Sequence, residues 1–176
     1  MWARIIAELG NETTPATAPP PDRPVSSAPM ASADLVFDDD GRVAWDRIWT
    51  DFCDLALAGG PPHRGTMLDA PTIETVAADL AGYERVREEI ARGIAMTTHW
   101  PIDRNAPIGW IGLVCPDREA AKWMARAILA EHVAARPAGA IVLVPAGPAF
   151  TLKGEIKNVI TAVAKAWHYW AKHGMR

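Results

Sequence analysis

The chain has 176 residues, 49% of them hydrophobic, and a formal net charge of −3 at pH 7. This length and composition are sufficient for one globular domain with a hydrophobic core. The negative balance argues against general electrostatic binding to nucleic acid, which requires a basic surface. No apolar run approaches the roughly 20 residues that a helix needs to cross a bilayer. The apolar N-terminal segment is short and interrupted by Glu8, which is not typical of a signal peptide. We therefore expect a cytoplasmic protein that does not associate with membranes.

The first 33 residues fall into two parts of different composition. Residues 1–10 carry apolar side chains at helical spacing, which predicts one short amphipathic helix: Trp2, Ile5, Ile6 and Leu9. Residues 11–33 are rich in Pro, Ala, Thr and Ser, so they cannot bury enough apolar surface to offset chain entropy. We expect this part to be a flexible, disordered linker. The short helix is either an extension that packs weakly or a docking peptide for a protein partner.

Residues 34–176 are predicted to form a single compact α/β domain. Its first element is a small hairpin over residues 35–43, in which three aspartates precede Gly41. We interpret the aspartates as turn residues, because the further oxygen ligands of a calcium loop are missing. A helix with an apolar, aromatic face follows over residues 46–58, and that face is typical of a core helix.

A second long helix is expected to begin at Asp69, with a short strand over residues 66–68 before it. Asp69 is its predicted cap, Ile73 opens its buried face, and Gly82 is the point at which it bends or splits. Its opposite side carries charges of both signs and is interpreted as a solvated surface.

The C-terminal half alternates between apolar runs and helical patterns. Residues 108–115 and 140–144 are continuous apolar runs that predict buried strands, separated by a helix from residue 117 to about residue 135. A last helix is predicted over residues 153–172. This order predicts a parallel β-α-β unit with a right-handed crossover. The expected fold is α/β, with a small sheet of three or four strands, about four covering helices and a flexible N-terminal extension.

The stretch Gly59–Gly65 has the most unusual local composition in the sequence. Its glycines, among them Gly60 and Gly65, and its two prolines fix the backbone around two reactive side chains, His63 and Arg64. Arg64 is suited to a carboxylate or phosphate, and His63 to proton transfer near neutral pH. The alternative is that Arg64 pairs with a nearby aspartate and His63 caps a carbonyl group.

A second candidate region lies after the predicted strands, where the helix N-termini of α/β proteins often bind anions. Gly147 in the loop over residues 145–153 allows close backbone approach, and Lys153 begins the last helix, where the helix dipole does not favour a cation. Asn158 lies one turn further on. Cys115, at the end of the first predicted strand, is the one plausible nucleophile, although a buried, inert thiol is the competing interpretation.

Few other residues in the sequence suggest a reactive or metal-binding site. Cys53 and Cys115 are the only cysteines, and their spacing to other cysteines or histidines predicts no zinc site. We expect two free thiols, with one disulfide as the alternative. No metal site is predicted and no cofactor is indicated. Modest basic stripes are expected on two helices: Arg118, Lys122 and Arg126 on one, and Lys165, His168 and Lys172 on the other.

Two functions of different classes remain open from the sequence. The first is binding, with or without chemical transformation, of a small anionic molecule between the Gly59–Gly65 stretch, the end of the first strand and the 145–153 loop. The second is a non-catalytic accessory protein that docks through residues 1–10 and its basic helix faces. The eight tryptophans suit either an aromatic core or a homo-oligomer interface.

Overall fold

The computed structural model of the chain describes residues 34–49 and 66–173. Predictions that fall on residues 1–33 and 50–65 lie outside the described residues. They include the terminal helix and linker, most of the helix predicted over 46–58, Cys53 and the Gly59–Gly65 stretch.

The described ranges contain five α-helices and four β-strands. The helices are α1 (Trp45–Ile48), α2 (Ile73–Ala78), α3 (Leu80–Thr98), α4 (Arg118–Ala130) and α5 (Lys157–Lys172). The strands are β1 (Ile102–Asp103), β2 (Trp110–Val114), β3 (Arg136–Ala138) and β4 (Ile141–Pro145). The prediction of a mixed helix-and-sheet fold is therefore confirmed, as is the expected sheet size. Within these ranges, no helix combines the length and apolar character that a membrane span requires.

The four strands form one antiparallel sheet in the order β1-β2-β4-β3. β2 and β4 are neighbours, with Ile111 opposite Val144 and Leu113 opposite Val142. The prediction of a parallel β-α-β unit was therefore wrong. Both strands are short runs of buried apolar residues, and such runs carry no information about strand direction.

The error arose from a missed strand, β3. The antiparallel pairings of β4 with both β2 and β3 mean that β3 runs in the same direction as β2. A turn at Gly139, whose φ of 64° favours glycine, then reverses the chain into β4 between them. The residues between the helix predicted to end near residue 135 and the strand predicted from residue 140 were not predicted to form a strand. Pro137 instead lies in an edge strand, where a missing N–H is tolerated.

Helix α4 ends at Ala130, earlier than the predicted end near residue 135. His132, with a φ of 58°, turns the chain away from the helix axis. Val133 then forms a parallel bridge with Leu68, so the strand predicted over residues 66–68 is reduced to one bridged position.

The helix predicted to begin at Asp69 is two helices. The side chain of Thr72, not Asp69, caps α2. The chain breaks at Asp79, whose carboxylate accepts a hydrogen bond of 2.8 Å from the N–H of Gly82 and so caps α3. Ile73, predicted to be buried, is 64% exposed, because the six-residue α2 turns a different face toward the core.

The hairpin predicted over residues 35–43 is confirmed in a minimal form. Phe37 and Val43 form an antiparallel bridge, and Gly41 has the expected positive φ of 73°. The Asp38 carboxylate accepts backbone hydrogen bonds from Asp40 and Arg42, at 3.1 and 2.8 Å. This is the turn role predicted for the aspartates. In the described part of the chain, no three His, Cys, Asp or Glu side chains converge where they could hold a metal ion.

The main core lies between one face of the sheet and helices α3, α4 and α5. α3 and α5 pack closely at Gly93, where an added Cβ would overlap the side chain of Ile160. A smaller cluster around Trp110 and Leu143 covers part of the other sheet face. There the guanidinium of Arg136 lies 3.8 Å from the centre of the Trp110 ring, a cation–π contact.

A hydrogen-bonded network attaches α1 and the segment before it to α3. The Glu89 carboxylate accepts from the indole N–H of Trp45 at 2.7 Å and from the Arg92 guanidinium at 2.6 and 3.1 Å. Arg92 also donates to the carbonyl of Val43 at 2.6 Å. Burial alone would raise the pKa of Glu89. The hydrogen bonds from Arg92 and Trp45 and the charges of Arg92 and Arg42 outweigh burial and lower the pKa.

Candidate functional site

The start of the last helix has an unusual backbone, and we call residues 151–158 the α5 entry. Leu152–Ile156 form a kinked turn in which Gly154 has non-helical angles, φ −103° and ψ −105°. The Glu155 carboxylate accepts from the backbone N–H and the hydroxyl of Thr151, at 2.9 and 3.0 Å. Regular α-helix begins only at Lys157. The kink at Gly154 therefore separates this turn from α5.

Lys157 is the most unusual side chain of the α5 entry. It is 2% exposed, and among the described residues it is the one buried Lys, Arg, Asp or Glu. Burying a charged amine is costly, because water solvates the ammonium ion strongly. Residues one and two turns further along the same face of α5 are also buried: Ile160, Thr161 and Ala164 are each at most 1% exposed.

The electrostatic surroundings of Lys157 disfavour its charged form. Desolvation lowers the pKa of Lys157, the negative charge of Asp34 acts in the opposite direction, and the positive charge of Lys153 lowers it again. The net direction is downward from the ordinary value of 10.5. Perturbed pKa values cluster at functional sites, which makes this lysine a candidate.

Lys153 and Asn158 were predicted from the sequence, whereas Lys157, which lies between them, was not. Lys153 is exposed and Asn158 is half-buried. A signal for Lys157 was present in the helical spacing. Positions 157, 160, 161 and 164 lie on one helix face, and three of the four carry no charge, so a lysine there interrupts a buried stripe.

Gly147 does not offer open backbone to a ligand. The ring of Phe150 lies over it, so that an added Cβ would approach the ring to 2.8 Å. The N–H of Phe150 also donates to the carbonyl of Gly147 at 3.0 Å. Gly147 is therefore explained by this tight turn, which leads the chain from β4 to the α5 entry. A ligand-binding role for it stays a prediction.

Cys115 and the 145–153 loop lie at opposite ends of the sheet. Because β2 and β4 are antiparallel, Trp110 is opposite Pro145 and Val114 is opposite Ile141. At about 3.4 Å per residue, five strand residues separate the two ends by roughly 17 Å. The expectation that both belong to one edge depended on parallel strands, and the structure does not bring them together.

The thiol of Cys115 is not activated. It is 4% exposed, and burial raises its pKa to about 12, with a further upward contribution from the charge of Asp117. Asp117 also caps α4 by accepting from the N–H of Ala120 at 2.7 Å. The carboxylate therefore supplies the negative charge that the helix N-terminus favours. This environment favours the inert interpretation of Cys115.

Two members of the predicted basic stripes are held in ion pairs. Lys122 lies 2.8 Å from Glu119 on α4, and Lys165 of α5 lies 2.7 Å from Glu131, with both side chains of the second pair less than 20% exposed. Burial also lowers the pKa of His168, which favours its neutral form. These features weaken the stripes as docking surfaces for an acidic partner.

A shallow depression of about 240 Å³ lies where α3 meets β1 and the start of β2. Both of its arginines are paired with carboxylates. Arg87 contacts Glu84 and Arg104 contacts Glu88, both at 3.2 Å. An anion there would compete with these carboxylates, so the depression is a weaker candidate than the α5 entry.

Comparison with known proteins does not assign the chain to a family. No family model matches the chain, and no curated protein and no solved structure is similar to it.

Proposed function

We propose that the chain binds a small anionic molecule, carrying a phosphate or carboxylate group, at the α5 entry. Lys153 and Lys157 supply positive charge, and Asn158 adds a hydrogen bond. In this proposal the Gly59–Gly65 stretch forms the opposite wall, where Arg64 binds the anion and His63 donates a hydrogen bond or a proton. Cys115 takes no part in it.

The observation that carries the proposal is the burial of Lys157 near a second lysine. A bound anion would receive positive charge from both lysines. Lys153 also lies at a helix start, where the helix dipole favours an anion.

The chemistry of two lysines selects a class of ligand rather than one compound. An ammonium group is a point charge with three N–H donors, suited to phosphate and carboxylate oxygens alike. The Glu155 and Asp34 carboxylates lie in the same region. They limit the net positive charge, so a ligand with one or two negative charges fits better than a polyanion.

The test is the thermal stability of the full chain in sodium phosphate and in sodium acetate, each against sodium chloride at matched ionic strength. A ligand that binds only the folded state stabilises it by about 2.7 kcal/mol at 100 times its Kd. We expect phosphate or acetate to raise the Tm of the wild-type protein. Calorimetric titration should show about tenfold weaker binding in Lys153→Ala and in Arg64→Ala, which corresponds to about 1.4 kcal/mol each.

Lys122→Ala is the matched control, because Lys122 is a partly exposed lysine on another helix. It should bind the anion as the wild type does. If neither anion raises the Tm, or if Lys153→Ala and Lys122→Ala respond alike, the α5 entry is not an anion site.

The accessory function stays a prediction, because residues 1–10 lie outside the described residues. Its second component, the basic helix faces, is weakened by the ion pairs of Lys122 and Lys165. For this reason the anion site is preferred.

A further inference from the structure

Three large apolar side chains are mostly exposed on elements that contact each other. Ile73 of α2 is 64% exposed, Leu80 at the start of α3 is 60% exposed, and Ile108, in the loop before β2, is 53% exposed. We call these three residues the α2 patch. Single exposed apolar residues are common on protein surfaces, whereas a group of them indicates a surface that contacts another apolar surface.

Contacts around Gly109 bring the members of the α2 patch together. The N–H of Gly109 donates to the hydroxyl of Tyr83 at 3.0 Å, and an added Cβ would lie 3.2 Å from the carbonyl oxygen of Pro71. The patch residue of the loop directly precedes Gly109, and Ile73 follows Pro71 by two residues. Leu80 lies one helical turn before Tyr83, on the same face of α3. The three side chains therefore belong to one region of the surface.

The N-terminal segment, residues 1–10, has the apolar spacing that such a surface binds. Amphipathic helices bind apolar grooves through side chains at positions i, i+3, i+4 and i+7. The segment has this spacing at four positions: Trp2, Ile5, Ile6 and Leu9. Its charged residues, Arg4 and Glu8, fall on the opposite side of the predicted helix. A helix of this length is marginal in water on its own, so it requires a surface that covers its apolar face.

We propose that residues 1–10 bind, as a short amphipathic helix, to the α2 patch of the same chain. The predicted linker, residues 11–33, leads to Asp34, whose charge acts on Lys157 at the α5 entry. A flexible chain of this length spans roughly 26 Å on average and at most about 75 Å, whereas a domain of this size is roughly 40 Å across. Every face of the domain is therefore within reach of residues 1–10.

The size of the α2 patch favours the chain's own segment over a second copy of the domain. A stable dimer buries about 800 Å² on each partner, which three side chains do not supply. A tethered segment needs less apolar area, because its effective concentration at the patch is on the order of millimolar. Docking at the α2 patch uses neither Lys153 nor Lys157, so it is independent of the anion site. It gives residues 1–10 a target within the chain, in place of a separate protein partner.

The experiment measures backbone hydrogen exchange of the full chain by peptide mass spectrometry. Ile5→Asp places a charge on the apolar face of residues 1–10. Ala7→Asp, the matched control, places the same charge on the opposite face. We expect Ile5→Asp to accelerate exchange in residues 71–82 at least fivefold, because α2 loses the helix that covers it. The Ala7→Asp variant should exchange at the wild-type rate.

A second pair of variants tests the location of the binding surface. Ile73→Asp should accelerate exchange in residues 1–10 at least fivefold. Phe37→Asp changes another exposed apolar residue, in the hairpin outside the α2 patch, and should leave that exchange unchanged. Both side chains are more than half exposed, so the domain should fold in both variants.

Three results would overturn the proposal. Equal exchange rates in Ile5→Asp and Ala7→Asp would mean that the apolar face of residues 1–10 binds nothing in the chain. Equal rates in Ile73→Asp and Phe37→Asp would place the binding surface elsewhere. Protection of residues 71–82 that increases with protein concentration would mean that the segment binds a second copy, whereas docking within one chain predicts protection that is independent of concentration.

Discussion

Two polar regions on neighbouring helices differ in how the fold affects the charged form of their central side chain. On α3, the fold stabilises the ionised Glu89 carboxylate through the donors of Trp45 and Arg92, and its pKa is lowered. On α5, the fold disfavours the ionised form of Lys157, because burial and Lys153 both lower its pKa. In the first region the charged form contributes to stability, whereas in the second it lowers stability. This difference separates a structural network from a candidate site.

The largest effect on stability is expected from removing the Glu89 carboxylate on α3. Glu89→Ala removes the partner of a mostly buried guanidinium and the acceptor of the Trp45 indole. Breaking such a pair leaves an uncompensated charge, so we expect a loss of about 3 kcal/mol in the free energy of unfolding. Urea denaturation measures it. Glu119→Ala, which breaks an exposed pair with Lys122, should cost less than about 0.5 kcal/mol. Equal losses would contradict the structural role of Glu89.

The lowered pKa of Glu89 predicts that the stability of the fold decreases at acidic pH. The folded-state pKa of Glu89 is lowered below 4.5, so between the two values the unfolded chain binds more protons than the folded one. Its contribution to stability is present above pH 4.5 and is lost as the pH falls through the folded-state pKa. In Glu89→Gln, the free energy of unfolding should therefore fall less steeply as the pH is lowered below 4.5. An unchanged slope would mean that other carboxylates dominate it.

A smaller effect is expected where the two helices meet. Gly93→Ala on α3 places a methyl group against Ile160, which is completely buried on α5. Overpacking of a well-packed core costs about 2 kcal/mol. Because Ile160 lies one turn from Lys157, the substitution should also weaken phosphate binding, whereas Gly139→Ala in the open hairpin turn should leave binding unchanged. Thermal denaturation and calorimetric titration measure the two effects.

Lys157→Met tests whether the fold disfavours the ionised form of Lys157. A folded-state pKa below 10.5 means that the unfolded chain binds more protons between that pKa and 10.5, so wild-type stability should rise with pH across this window. The methionine variant should lack this rise, because it has no amine to titrate. Denaturation at several alkaline pH values measures it. A large loss of stability at pH 7 would mean that Lys157 is a structural ion-pair member.

The sequence predicted what depends on local patterns and missed what depends on tertiary context. Helix periodicity located α3, α4 and α5, and turn chemistry located the hairpin at Gly41, because spacing and glycine conformation are local properties. Strand direction was wrong because β3 is three residues long and contains Pro137. No local pattern distinguishes such a segment from the end of a helix.

The candidate site was only partly predictable for the same reason. Lys153 was named from its position at a helix start. Lys157 was missed because its importance comes from burial under other elements and from the charges of Lys153 and Asp34. Cys115 was grouped with the 145–153 loop on the assumption of parallel strands, and the antiparallel register separates them.

The central proposal is that the α5 entry binds an anion beside Lys153 and Lys157. The most direct measurement is the pKa of Lys157 by NMR of the lysine side-chain ¹³Cε resonances, with and without phosphate. Lys122 serves as the internal reference. The account predicts a Lys157 pKa below 10.5 that rises when phosphate binds, while that of Lys122 does not change. A Lys157 pKa at or above 10.5 that phosphate leaves unchanged would contradict it.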